Sequence, residues 1–133
     1  MRSFHIEIVT PDGIAYSGEV SSLLVRTDDG DVEIMAGHAD FLASVSTGRV
    51  RIIADGNHRF GSVNGGFLSV SAGKVRLCAI TFEFADQIDI KRAEEAKAKA
   101  ENALRTAKDQ SEERIAKAKL YRAASRINVA NMK

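Results

Sequence analysis

The stretch from Ala93 to Ala130 reads AEEAKAKAENALRTAKDQSEERIAKAKLYRAASRINVA, and the period of its small apolar residues decides the architecture. Ala93, Ala96, Ala100, Ala103 and Ala107 recur at spacings of 3, 4, 3 and 4. Ala116, Leu120, Ala123, Ile127 and Ala130 recur at 4, 3, 4 and 3. Each set forms one stripe along a helix, with charged residues on the remaining surface. The step from Ala107 to Ala116 is nine residues and breaks the phase. Asp109-Gln110-Ser111-Glu112-Glu113 fills that step, with Ser111 placed as an N-cap and acidic residues in the turn after it. Two helices folded into an antiparallel hairpin account for both stripes.

Working outward, the rest of the chain has the opposite character. All ten glycines lie at or before Gly73 and the one proline is Pro11, so Lys74 to Lys133 contains no breaker. The earlier part reads as short strands separated by turn signals. The strands are Phe4–Thr10, Ile14–Ser17, Val20–Arg26, Val32–Met35, Gly48–Ala54, Arg59–Val63, Gly66–Ser71 and Val75–Phe82. Pro11-Asp12-Gly13, Asp28-Asp29-Gly30, Asp55-Gly56-Asn57, Asn64-Gly65 and Ala72-Gly73 are the turns. The expected fold is an N-terminal antiparallel β-sandwich or barrel over residues 1–85, then a C-terminal antiparallel two-helix hairpin over 86–133.

An alanine seam brings helices close yet buries little, about 0.8 kcal/mol per CH₂. Ala, Lys, Glu and Arg meanwhile favour the helix locally. Each helix is therefore stable against unwinding while the contact between them is weak, and the hairpin is expected to open.

Charge divides along the same boundary. Residues 1–86 hold 7 Lys and Arg against 11 Asp and Glu, a balance of −4, and residues 87–133 hold 12 against 7, a balance of +5. Two modules with different partners follow from that asymmetry. Cys78 is the sole cysteine, which excludes an internal disulfide and suits a reducing compartment. Its surroundings, Val75 to Ile80, mark it as a small core residue rather than a nucleophile. No long apolar run opens the chain or interrupts it, so the mature protein is expected to begin near Met1 and not to span a membrane.

Catalytic signatures are missing. Asn64-Gly65-Gly66 lacks the lysine and the spacing of a phosphate-binding loop. Asp28, Asp29, Asp31 and Glu33 crowd too closely for a calcium hand, and His5, His38 and His58 are too scattered for zinc. The expectation is a chain that is not itself an enzyme and requires no cofactor.

The ordered set of motifs resembles the epsilon subunit of F-type ATP synthases over nearly the whole chain. Ile8-Val9-Thr10-Pro11-Asp12-Gly13 with Tyr16 looks like that family's first hairpin, and Gly30 to Ala39 is similar to its glycine-histidine loop. Gly48-Arg49-Val50, Gly65 to Val70, Ile88-Asp89-Ile90-Lys91-Arg92-Ala93 and Arg122 to Ala130 match further landmarks. Glu33, Ala36 and Asp40 depart from it, standing where many members have Gly, Pro and Pro.

The resemblance implies a rotor subunit of a complex that couples proton transport to ATP synthesis. Its partners would be the gamma subunit, the c-subunit ring, and the alpha and beta subunits of the catalytic head. Nucleic acid is not among them. The location implied is the cytoplasmic face of the cell membrane, peripheral and held through the complex. Asp31 and His38 would fall in the loop that faces the c ring. An extended hairpin would hinder ATP hydrolysis, and the basic run from Arg105 to Arg126, seven cations to three acids, would favour acidic surfaces on the head.

In an antiparallel hairpin the end of the second helix lies beside the start of the first, which brings Arg122 and Arg126 near Asp89 and Arg92. Three converging guanidiniums repel one another unless an anion sits between them, and their forked donors suit phosphate. The resemblance carries ATP binding onto Glu83, Ile88, Asp89, Arg92, Ala93, Arg122 and Arg126, with ATP as a regulatory ligand accompanied by magnesium. Lys99 stands at one more position of that pattern, where arginine would give stronger phosphate contact. The alternatives are a purely structural ion-pair network at these residues and a free-standing ATP-sensing module.

Overall fold

The computed structural model describes residues 2–132. Seven strands come first: β1 (Phe4–Thr10), β2 (Gly13–Val20), β3 (Ser22–Thr27), β4 (Gly30–Ile34), β5 (Phe41–Ala54), β6 (Asn57–Ser71) and β7 (Lys74–Phe84). A single 3-10 turn, Ala85–Gln87, leads into α1 (Ile90–Arg105) and α2 (Gln110–Ala130). The strands form one continuous sheet in the order β2-β1-β7-β6-β5-β3-β4. Neighbours are antiparallel except for β1 and β7, which run parallel from Ile6–Val75 to Val9–Cys78. A parallel pair needs a long connection. Five intervening strands supply it here, so the first strand can lie beside the last.

One sheet becomes a two-layered sandwich because its long strands bend. The β5–β6 ladder stops at Val45–Gly66 and resumes at Gly48–Val63. Across the gap the Thr47 hydroxyl donates to Asn64 Oδ1 at 2.8 Å. Gly65 and Gly66 take φ of 72° and 133°, and a Cβ on Gly66 would lie 1.9 Å from the Cys78 carbonyl oxygen. The Asn64-Gly65 pair is thus a kink inside one strand, not the turn between two. The same positive φ serves a bulge as well as a hairpin, so the dipeptide alone does not separate them. Strand β5 also begins seven residues before the expected Gly48, because outward-facing Leu42, 73% exposed, masks the alternation with buried Val45.

All seven strands contribute to one buried apolar cluster, so both layers close on the same core. Phe4, Ile6 and Ile8 alternate inward on β1, and Leu23 with Val25 do so on β3. Cys78 is half-buried on β7, paired with Phe67, and stands outside that core. Alternation explains it: Leu77 and Ala79 on either side take the inward positions.

The helices carry acidic caps. Asp89 accepts from Arg92 N at 3.1 Å and Asp109 accepts from Glu112 N at 2.8 Å. The cap of α2 is therefore Asp109, two residues before Ser111. Glu112 reinforces it by accepting from Lys108 N at 2.7 Å, closing the turn from both sides as a capping box does. The stripe on α2 is as expected, with Ala116, Ala123 and Ala130 buried and Leu120 and Ile127 half-buried. On α1 only Ala93 and Ala100 are buried, while Ala96 and Ala103 are exposed. Packing on β5 and β6 falls to α2, whose end forms a small cluster of Ile88, Val129 and Ala130 with Phe60 and Ala85.

Candidate functional site

Ala96 and Ala103 are exposed because they face a groove between the hairpin and the sandwich, a cavity of about 1050 Å³. Its sandwich wall presents mostly small polar groups, among them Thr47, Ser62, Asn64 and Thr81, with Glu83 near the end of β7 and Asp12 from the β1–β2 turn. The opposite wall is cationic. Arg92 and Lys99 project from α1, and Lys119, Arg122 and Arg126 from α2. Five cations thus face two carboxylates.

One of those carboxylates is already engaged. Glu83 Oε1 accepts from Arg126 Nε at 2.8 Å, and both side chains are about two-thirds or more covered, at 36% and 27% exposure. Among the described residues this is the one ion pair joining the sandwich to either helix. Arg92, Lys99, Lys119 and Arg122 have no carboxylate within 4 Å there. A groove with that surplus of donors can accept an anion, and forked guanidiniums favour phosphate or carboxylate oxygens.

The site residues named from the sequence divide into two groups. Glu83, Arg92, Arg122 and Arg126 line the groove together. Asp89, Ile88 and Ala93 do not. Asp89 spends its carboxylate on the α1 cap, Ile88 is 8% exposed within the small apolar cluster, and Ala93 is fully buried in the seam. In this structure these three hold the helix start in place, outside the groove lining.

Lys119 is the cation that the sequence reading passed over. It precedes Arg122 by three residues and Arg126 by seven, so the helical period puts all three on one face and was a usable signal. Asp12, Thr47 and Asn64 reach the groove through strand topology, for which local sequence holds no sign. Asp31 and His38 lie elsewhere. Asp31 is the second residue of β4, 3.7 Å from Arg49, and the His38 ring makes a 2.7 Å hydrogen bond to the Ala39 carbonyl and stands edge-on to Phe41. Among the described residues there is no cluster of three or more His, Cys, Asp or Glu able to hold a metal, and no helix is long and apolar enough to cross a membrane.

Two family models together cover residues 3–131. Residues 3–85 match the beta-sandwich domain of the ATP synthase delta/epsilon chain, and residues 86–131 match its long alpha-helix domain. The chain belongs to the ATP synthase epsilon-chain family. An ATP synthase epsilon chain from Ruminococcus albus is 35% identical over 134 residues, with all of both chains covered. One from Bacillus velezensis is 38% identical over 130 residues, covering 98% of each. The epsilon-chain fold also recurs at much lower identity. A chain of the Euglena gracilis mitochondrial ATP synthase, solved as OSCP/F1/c-ring, superposes with a TM-score of 0.81 at 17% identity, covering 92% of this chain and 78% of that one. A chain from the central stalk and c ring of the Tetrahymena thermophila enzyme gives 0.64 at 13%, covering 98% of each.

Proposed function

We propose that this epsilon-family chain is a non-catalytic rotor subunit whose hairpin, when open, hinders ATP hydrolysis, and whose groove binds ATP to hold the hairpin closed. The sandwich would dock on the gamma subunit and the c ring, and the opened helices would reach the alpha and beta subunits. The two structural neighbours come from an F1/c-ring assembly and from a central stalk with c ring, which supports those partners. The place would be the membrane surface, through the complex and on its cytoplasmic face, with Asp31 and His38 turned to the c ring.

The observation that carries the regulatory reading is the composite origin of the groove. Its cations come from both helices and Glu83 from β7, so only the closed hairpin assembles them. Arg92 and Lys99 are seven residues apart on α1, about 10 Å along its axis, which spans a triphosphate. Arginines take the phosphates, and Glu83, released from Arg126, accepts from the base or ribose. Magnesium enters as the nucleotide's own counter-ion. A ligand that binds one state and not the other shifts the population towards the first.

Calorimetric titration of the full chain with ATP tests this directly. Saturable binding is expected, and Arg92→Gln or Arg122→Gln should weaken it about ten- to a hundredfold, the value of a charge-assisted hydrogen bond. No heat at millimolar ATP would remove the sensor role. The inhibitory role has its own test. Reconstituting the whole complex with a chain that stops after Gln87 should raise its ATP hydrolysis, and an unchanged rate would sink that part.

A further inference from the structure

On its other flank α2 leaves a second cavity, about 510 Å³, against the β3 and β5 side of the sandwich. The sandwich wall is Arg26, Gly48 and Arg49, and the helix wall presents Tyr121, Ser125 and Asn128 at spacings of 4 and 3. None of these six residues lines the main groove.

Arg26 lies where the β3–β5 ladder is irregular, between the Val25–Val50 and Thr27–Val45 pairs. Its stem rests on Gly48, where an added Cβ would meet Arg26 Cβ at 3.1 Å. In the β3–β4 register Arg26 stands opposite Asp31, yet the ion pair of Asp31 is with Arg49, at 3.7 Å and about half exposed. Among the described residues Arg26 has no carboxylate within 4 Å and no side-chain hydrogen bond. Two arginines from adjacent strands therefore line one cavity, and the carboxylate beside them, Asp31, pairs with Arg49 alone. Two cations lining one cavity repel each other unless something neutralises them.

The helix wall supplies no carboxylate to do so. It offers two hydroxyls and an amide, all able to donate. Donors from two strands and a helix around one small space suit an ion that accepts on every side. A tetrahedral phosphate does; a carboxylate, planar and with two oxygens, leaves part of the set unused. We infer that this cavity is a second anion site, for a compact oxyanion of the phosphate class, which ties α2 to β3 and β5 independently of any ligand in the main groove.

Inorganic phosphate is the probe. Titrated into the full ¹⁵N-labelled chain, it should shift the amides of Arg26, Arg49, Ser125 and Asn128 along one saturable curve. Arg26→Gln should weaken that curve about fivefold, the scale of an exposed ion pair. Arg122→Gln, in the main groove, should leave it unchanged. Ser125→Asp sets a carboxylate in the space and should abolish it, which keeps the test decisive if Arg26→Gln proves poorly folded. The site is overturned if sodium chloride at matched ionic strength gives the same shifts, if they fall only on main-groove residues, or if neither Arg26→Gln nor Ser125→Asp moves the curve.

Discussion

The sandwich and the hairpin bury their apolar groups in opposite ways. The sandwich core is built from large branched side chains, with Ile6, Ile8, Leu23, Ile34, Ile52, Leu68 and Leu77 almost wholly enclosed. The hairpin encloses mainly alanines, Ala93 and Ala100 against Ala116 and Ala123, and adds three buried residues where it meets the sandwich. An Ile or Leu contributes several buried CH₂ groups at about 0.8 kcal/mol each, an alanine about one. One region is thus held by tertiary packing. The other is held chiefly by its own helix propensity, its caps and a few docking contacts. A chain organised this way can move the hairpin without disturbing the sandwich.

The largest effect should come from breaking the stronger side. Leu68→Ala, at a position with no exposure, should cost about 2–5 kcal/mol, read from the urea midpoint at unchanged slope. Hydrogen exchange should rise in the strands throughout, because one cluster serves both layers. A loss confined to β6 would mean that the layers are separable and the comparison is wrong.

Val129→Ala attacks the docking contact instead. Val129 is 1% exposed beside Ile88 and Ala130, and removing two methyl-sized groups should cost about 2 kcal/mol. The expected signature is selective: faster exchange of α1 and α2 amides with the sandwich amides unmoved. Equal acceleration in both regions would show that hairpin and sandwich unfold as one unit.

How much of this was written plainly in the sequence differs between the two regions for the same physical reason. Helical periodicity is local, so Ala116, Leu120, Ala123, Ile127 and Ala130 revealed the buried face of α2 directly. Sheet architecture depends on which strands meet. That Asn64-Gly65 kinks a strand, or that β1 runs parallel to β7, depends on partners far away in the chain. The groove shows both cases. Arg92, Arg122 and Arg126 were legible from helix geometry, whereas Asp12 and Thr47 arrive there only through topology. Asp89, named for the same site, serves in this structure as the α1 N-cap, because an N-cap and an anion-binding partner present the same residue type at a helix start.

A smaller effect is expected at the hinge. Asp109→Ala removes the α2 cap and strands the Glu112 amide, costing about 1 kcal/mol of helix stability. Circular dichroism should show a modest loss of helix and exchange should rise over the first turn of α2. If the helix signal instead increased, the connector would be joining α1 and α2 into one rod once its cap is gone, and the cap would be what keeps the hairpin folded back.

The smallest effect bears most directly on how the hairpin is held. Glu83 and Arg126 form an ion pair between the sandwich and α2, yet both are partly exposed, so a double-mutant cycle with Glu83→Gln and Arg126→Gln should give a coupling of about 1 kcal/mol or less. Against the core that is minor. For an opening equilibrium that rests on a few docking contacts, about 1 kcal/mol changes the closed-to-open ratio roughly fivefold. The cycle should therefore be nearly silent in urea unfolding, which reports the sandwich, and clear in a distance measurement between Cys78 and a label on α2. A coupling equally visible in both readouts would mean that the pair stabilises the fold as a whole and not the docked position of α2.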